Sequence, residues 1–90
     1  MKNIEELIKS DKATIVDVRT QAEFMGGHVE GSLNIPLQEI PNRLSELRVM
    51  KNIVLCCASG ARSAQATSYL EQNGIECENA GSWLEVNCYC

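Results

Sequence analysis

The sequence lacks the features that mark several functional classes. Aromatic residues make up only 4% of its 90 residues, there is one histidine, and the formal net charge is -4. Because there is no basic cluster to neutralise phosphates, the composition argues against a nucleic-acid partner. No apolar run approaches the length of a membrane span, so no membrane partner is expected.

The N-terminus and the cysteines define the expected compartment. Residues 1–6 carry two acids where a signal peptide would have its apolar segment, which predicts a cytoplasmic chain. The five cysteines are odd in number and two are adjacent, so reduced thiols are expected rather than a disulfide framework. Only Cys88 and Cys90 approach the spacing of a zinc-binding pair, so neither a metal nor a cofactor is expected.

Apolar patterning predicts one small domain over residues 1–90, with 87–90 as a flexible tail. Strands and helices alternate, which predicts a three-layer α/β/α domain around a mostly parallel sheet of four or five short strands. The predicted strands are 13–18, 32–35, 53–57 and 75–79, and the predicted helices are 3–10, 21–24, 41–48, 63–73 and a last turn from 83. Too little chain precedes the first helix for a full edge strand, so a strand at Lys2 and Asn3 is expected to be stunted or absent.

The most informative stretch joins the strand at 53–57 to the following helix. Cys57 would lie beneath the first amides of that helix, where the helix dipole and free N–H groups lower the pKa of a thiol. Cys57 is therefore a candidate nucleophile, and Arg62 adds a permanent charge suited to an oxyanion. The predicted loop is open to a small anionic substrate, which would be bound by Ala58, Ser59, Gly60, Ala61 and Ser63.

Residues 57–63 read C-x-x-G-x-R-S, which resembles the active-site loop of the rhodanese (thiosulfate sulfurtransferase) superfamily. Further segments resemble that family in the usual order: Asp17-Val18-Arg19, Glu23-Phe24, the stretch 27–36 and Gly81-Ser82-Trp83. The resemblance runs from about residue 14 to residue 86. Ser82 in place of a second glycine, Val86 in place of a frequent tryptophan, and the short N-terminus depart from the pattern.

The resemblance implies a sulfurtransferase that works through a persulfide on Cys57. Sulfane sulfur would move from thiosulfate or a persulfide donor to a thiol or cyanide acceptor, and a sulfur-carrying protein is a further candidate partner. Arg62 would orient the anionic donor and help to keep Cys57 ionised. The rhodanese mechanism needs no base to form its thiolate, so His28 is expected to be a hydrogen-bonded loop residue.

The residues that follow the first predicted strand have structural interpretations. Asp17 and Arg19 end a strand where open α/β sheets build their sites, and we expect them to hydrogen-bond neighbouring loops, with a direct role in the reaction as the alternative. Thr20 is a predicted N-cap, with Glu23 completing a capping box.

The adjacent cysteines leave a second chemistry open. Counted from Cys56, Arg62 follows after five residues, a spacing that resembles the cysteine phosphatases. Gly60, however, falls three residues after Cys57, as in the rhodanese loop, and the strand alternation directs Cys56 to the opposite face. A phosphatase or arsenate reductase that uses Cys56 remains an alternative, as does a non-catalytic rhodanese-like binding module.

The C-terminal thiols give a further hypothesis. Cys88 and Cys90 could resolve a persulfide on Cys57 or pass its sulfur onward. A frayed terminus without function is the favoured interpretation.

Overall fold

Strands and helices alternate along the computed structural model, which describes residues 3–90. Within residues 3–90, four strands and five α-helices are connected by short loops, and a 3-10 helix precedes α3. The elements are α1 (Ile4–Lys9), β1 (Thr14–Asp17), α2 (Gln21–Met25), β2 (Leu33–Asn34), the 3-10 helix (Leu37–Arg43), α3 (Leu44–Arg48), β3 (Ile53–Cys57), α4 (Ala61–Gln72), β4 (Cys77–Ser82) and α5 (Trp83–Cys88). The predicted edge strand involves Lys2, which lies outside the described residues.

The four strands form one parallel sheet in the order β2-β1-β3-β4. Asp17 pairs in register with Cys56, and Cys57 pairs with Ser82, so the carboxyl ends of the strands meet at one edge. All five residues of β3 are buried, because helices cover both faces of this central strand. The predicted parallel sheet is confirmed, with four strands.

Two apolar clusters lie on opposite faces of the sheet and complete the predicted three layers. The first lies against the 3-10 helix, α3 and α4 and includes Ile40, Leu47 and Leu70; the second lies against α1 and α5 and includes Ile8 and Val86. Each fully buried aliphatic side chain of this kind contributes roughly 1.5–3 kcal/mol relative to exposure. Packing from both sides therefore holds β3, and with it the residues that follow it.

Several element boundaries differ from the sequence prediction; α4, for example, begins at Ala61 rather than at residue 63. The last strand runs over Cys77–Ser82 rather than 75–79, and a register irregularity interrupts its pairing with β3. Pro41 lies inside a 3-10 helix that begins at Leu37, ahead of the predicted helix. The last helix extends to Cys88, so half of the predicted tail at 87–90 is helical, because buried Val86 anchors the helix against the sheet.

The helices of the described part of the chain are all short. From residue 3 to residue 90, none has both the length and the apolar character required to cross a membrane.

Candidate functional site

The loop between β3 and α4 turns sharply at Gly60. This residue is the N-cap of α4 and has φ 103°, a left-handed conformation that favours glycine. A Cβ atom at this position would lie 3.3 Å from the Cα of Gly81 on β4. Both the backbone angle and the close approach of the neighbouring strand therefore require glycine here.

The turn directs three hydrogen-bond donors at the sulfur of Cys57. The backbone N–H of Gly60 donates to Sγ at 2.9 Å, and the backbone N–H and the hydroxyl of Ser63 each donate at 3.4 Å. These donors come from the loop and from the first turn of α4, as the sequence predicts. Such donors stabilise a thiolate more than a thiol.

Despite burial, hydrogen bonds to the sulfur lower the pKa of Cys57 below that of an ordinary thiol. Burial acts to raise it, but the hydrogen bonds from the Ser63 side chain and from the backbone of Ser63, Gly60 and Ser59 together outweigh burial. Ionisation at neutral pH is therefore favoured relative to an ordinary thiol, as a nucleophilic cysteine requires.

The sulfur is covered, whereas the sequence predicts an open loop. Cys57 has 0% of its surface exposed, because the loop folds over the thiol. The remaining predicted loop residues lie further out: Ala58 and Ser59 are exposed, and Ala61 is the exposed first residue of α4. The thiol is therefore recessed beneath the loop rather than presented at its surface.

Arg62 is engaged with Glu23 in this structure. Its two terminal nitrogens donate to the two carboxylate oxygens of Glu23 at 2.7 and 3.0 Å. The hydrogen bonds from Arg62, followed by the backbone hydrogen bond from Thr20, lower the pKa of Glu23 to about 2. The charge of Arg62 also acts on Cys57, so the guanidinium lies within electrostatic reach of the thiol.

Glu23 is a site residue that the sequence analysis identifies only as a helix cap. The predicted capping box with Thr20 is confirmed, and the same carboxylate reaches across to Arg62. The two residues are 39 positions apart, so no local pattern could reveal the pair. The one available signal is the Glu23-Phe24 segment of the family resemblance.

Asp17 and Arg19 form a buried ion pair beside the site. Nε and Nη2 of Arg19 donate to the Asp17 carboxylate at 2.8–3.0 Å, and Nη2 also donates to the carbonyl oxygen of Gly27 at 2.7 Å. The guanidinium lies 4.6 Å from the ring centroid of Trp83. The expected hydrogen bonding to a neighbouring loop is confirmed.

Cys56 has the opposite environment. It belongs to the apolar cluster with Val54 and Val86, on the other face of the sheet from Cys57, as the alternation predicts. Burial, followed by the charge of Asp17, raises its pKa to about 12. A neutral thiol packed among aliphatic side chains is not placed for nucleophilic attack, which disfavours the phosphatase alternative.

His28 is a hydrogen-bonded loop imidazole. Its Nδ1 lies 2.7 Å from the carbonyl oxygen of Phe24, and the two rings stack with centroids 3.7 Å apart. These contacts hold the loop that follows α2 against Phe24 and give His28 a structural role.

The C-terminal thiols lie toward the other end of the sheet. The last helix leaves the site at Trp83, and Tyr89 comes close enough to Lys9, at the end of α1, for an electrostatic interaction. The Cys90 thiol donates to the carbonyl oxygen of Val86 at 3.5 Å. The six residues of α5 carry the chain about 9 Å from Trp83, so the position of Cys88 and Cys90 gives no support to a relay to Cys57 within one chain.

All five cysteines are free thiols. Within residues 3–90, no group of three or more His, Cys, Asp or Glu side chains is arranged to hold a metal ion.

Comparisons with known proteins agree with this architecture. The family model described as a Rhodanese-like domain matches residues 1–85. The chain is 43% identical over 63 residues to the uncharacterized protein YqhL of Bacillus subtilis, covering 70% of this chain and 50% of YqhL. It is 34% identical over 74 residues to the thiosulfate sulfurtransferase PspE of Escherichia coli, covering 79% of this chain and 71% of PspE.

The fold is also found among solved structures. A rhodanese-related protein from Thermoplasma volcanium superposes with a TM-score of 0.80 at 30% identity, covering 97% of this chain and 88% of that chain. The chain thus spans half of YqhL and most of the two other proteins. The matched family model and the parallel sheet together show that the chain belongs to the family of rhodanese-like domains.

Proposed function

We propose that this rhodanese-like domain is a sulfurtransferase that carries sulfane sulfur on Cys57. The observation that supports this most directly is the set of donors on Sγ: the Gly60 amide at 2.9 Å, with the Ser63 amide and hydroxyl at 3.4 Å. A persulfide is an anion like a thiolate, and the same preorganised donors would stabilise it. The name of PspE, a thiosulfate sulfurtransferase, supports the same chemistry.

The proposed reaction has two steps. The Cys57 thiolate attacks the outer sulfur of thiosulfate, a new S–S bond forms, and sulfite leaves with the electron pair of the old S–S bond. A thiol or cyanide then attacks the outer sulfur of the persulfide. The acceptor leaves with that sulfur, and the Cys57 thiolate returns. Neither step of this scheme requires a cofactor.

Arg62 would bind the anionic donor, and the Glu23 carboxylate would compete with that donor for the Arg62 guanidinium. The guanidinium already shares two hydrogen bonds with the Glu23 carboxylate, so a sulfonate oxygen must displace or share at least one of them. Donor binding at Arg62 therefore requires this ion pair to rearrange.

Sulfur loading is tested by mass spectrometry. The protein is incubated with thiosulfate, and peptides that contain residues 56 and 57 are examined for the mass of one added sulfur atom. We expect the addition on Cys57 in the wild type and in Cys56→Ala, and its loss in Cys57→Ser. Addition that persists in Cys57→Ser, or none in the wild type, would refute the proposal.

The same protein is assayed in parallel with an aryl phosphate and with arsenate. Because Cys56 is buried with a raised pKa, we expect neither substrate to be turned over. Phosphatase activity that survives Cys57→Ser would instead support a nucleophilic Cys56. A correctly folded protein that takes no sulfur and turns over none of the substrates would favour the binding module.

A further inference from the structure

An exposed asparagine on the edge strand reaches the base of the Cys57 loop. Asn79 lies on β4, and its Oδ1 accepts a hydrogen bond from the Ser63 hydroxyl at 2.7 Å. Ser63 is itself fully buried. The same hydroxyl lies 3.4 Å from Cys57 Sγ and 3.1 Å from the carbonyl oxygen of Gly60. One side chain therefore connects Asn79 to the candidate nucleophile.

The Ser63 hydroxyl cannot serve all of these acceptors at once. A serine hydroxyl carries one proton, so a strong hydrogen bond to one acceptor weakens those to the others. The 2.7 Å distance to Asn79 Oδ1 is the optimal length of a hydrogen bond between two oxygens. The 3.4 Å distance to Cys57 Sγ leaves the sulfur as the competing acceptor. Asn79 and Cys57 Sγ therefore compete for the one proton of the Ser63 hydroxyl.

The orientation of the Asn79 amide is set by the backbone of its own strand. Its Oδ1 also accepts from the N–H of Gly81 at 2.9 Å, and its Nδ2 lies 3.5 Å from the carbonyl oxygen of Gly60. Exchanging the amide oxygen and nitrogen would place an NH2 group against the Gly81 N–H, so the oxygen must face both donors. Asn79 is thus a fixed acceptor beside a hydroxyl that can rotate.

Ionisation of Cys57 changes what the sulfur needs. A thiol supplies its own weak donor, whereas a thiolate is a charged acceptor and gains more from a hydroxyl donor. Rotation of the Ser63 hydroxyl about its C–O bond would move its proton from Asn79 toward Sγ. No covalent bond changes in this rotation, and the proton released by the thiol passes to the buffer.

We propose that Asn79 is a positioning residue for the nucleophile: it holds the Ser63 hydroxyl proton while Cys57 is a thiol and yields it to the sulfur when Cys57 ionises. Asn79 then limits how readily the thiolate forms. The effect on turnover rests on the proposed sulfurtransferase function, but the exchange of hydrogen bonds is a property of the free protein.

Two substitutions at Asn79 test this in opposite directions. Asn79→Leu removes the acceptor at similar volume, which frees Ser63 to donate to the thiolate and lowers the pKa of Cys57 by about 1. Asn79→Asp supplies a stronger, anionic acceptor and raises that pKa. The readout is the rate of Cys57 alkylation by iodoacetamide against pH, with peptide mass spectrometry to separate it from exposed Cys88 and Cys90.

The control is the same comparison in a Ser63→Ala background. There the Asn79→Leu substitution should leave the alkylation profile unchanged, because the connecting hydroxyl is gone. The charge of Arg62, which also acts on Cys57, is common to all variants. If Asn79→Leu does not fold, which its urea unfolding curve would show, Asn79→Ala takes its place.

The proposal is overturned if the two Asn79 substitutions shift the profile in the same direction, if removing the acceptor has no effect, or if its effect survives without Ser63. Alkylation requires no thiosulfate. If the Asn79 variants shift the alkylation profile as expected but the wild type takes up no sulfur from thiosulfate, the proposed function is refuted and this inference stands.

Discussion

Replacing Arg19 by leucine tests the buried ion pair on which the site rests. The Asp17 side chain has no exposed surface, and Arg19 supplies the guanidinium hydrogen bonds to both of its oxygens. Without the guanidinium, an uncompensated carboxylate remains in the interior with the backbone N–H of residue 19 as a donor. Breaking a buried pair in this way costs about 3–5 kcal/mol.

This cost is large for a domain of 90 residues. At roughly 0.05–0.15 kcal/mol per residue, the whole fold is stable by about 4.5–13 kcal/mol. Arg19→Leu, which also loses the contacts to Gly27 and Trp83, should therefore lose about a fifth or more of the free energy of unfolding. The measurement is urea unfolding followed by far-UV circular dichroism, because Trp83 fluorescence changes directly with the substitution.

A second substitution separates charge from packing. In Asp17→Asn/Arg19→Leu the stranded carboxylate is replaced by a neutral amide, so the double variant should be more stable than Arg19→Leu alone by at least about 1 kcal/mol. The reasoning fails if Arg19→Leu costs less than about 1 kcal/mol, or if the double variant is no more stable than the single one.

Two further predictions concern the loop and its rim. Gly60→Ala and Gly74→Ala each place a side chain at a positive φ, 103° and 77°, and each should lose about 1–2 kcal/mol of unfolding free energy. Only Gly60→Ala, whose Cβ would lie 3.3 Å from Gly81, should also slow persulfide formation. Equal rates of persulfide formation in the two variants would contradict this. The pKa of Glu23 in the folded protein is about 2, below its ordinary value of 4.5. The stability that its hydrogen bonds to Arg62 supply is therefore present above pH 4.5 and is lost as the pH falls toward 2. The difference in urea midpoint between the wild type and Glu23→Gln should accordingly shrink as the pH is lowered over that range, and a difference that does not change with pH would show that the pairing adds nothing.

The placement of Cys57 and Cys56 could be predicted because it depends on local rules. A strand alternates its side chains between two faces, and a strand that leads into a helix presents its last residue to the helix N-terminus. Those rules separate the two neighbouring thiols, and the structure gives one a lowered pKa and the other a pKa of about 12.

The partners of Arg62 and Ser63 could not be predicted, because they come from distant elements. Glu23 lies 39 residues from Arg62, and Asn79 lies 16 residues from Ser63. Each pair forms only after α2 and β4 have packed beside the loop. The covering of Cys57 could not be predicted for a different reason, since the residue pattern of 57–63 does not indicate how closely the loop folds over its own sulfur.

The irregularity in β4 also affects how the domain meets other chains. β4 is an edge strand, and such strands present unpaired N–H and C=O groups that can recruit a strand from another molecule. Leu55 pairs with Asn79 but Cys56 pairs with Gly81, so Ala80 is an extra residue that breaks the regular ladder. An edge interrupted in this way is a poor template for a continuous intermolecular sheet, so the extra residue beside Asn79 works against edge-to-edge aggregation.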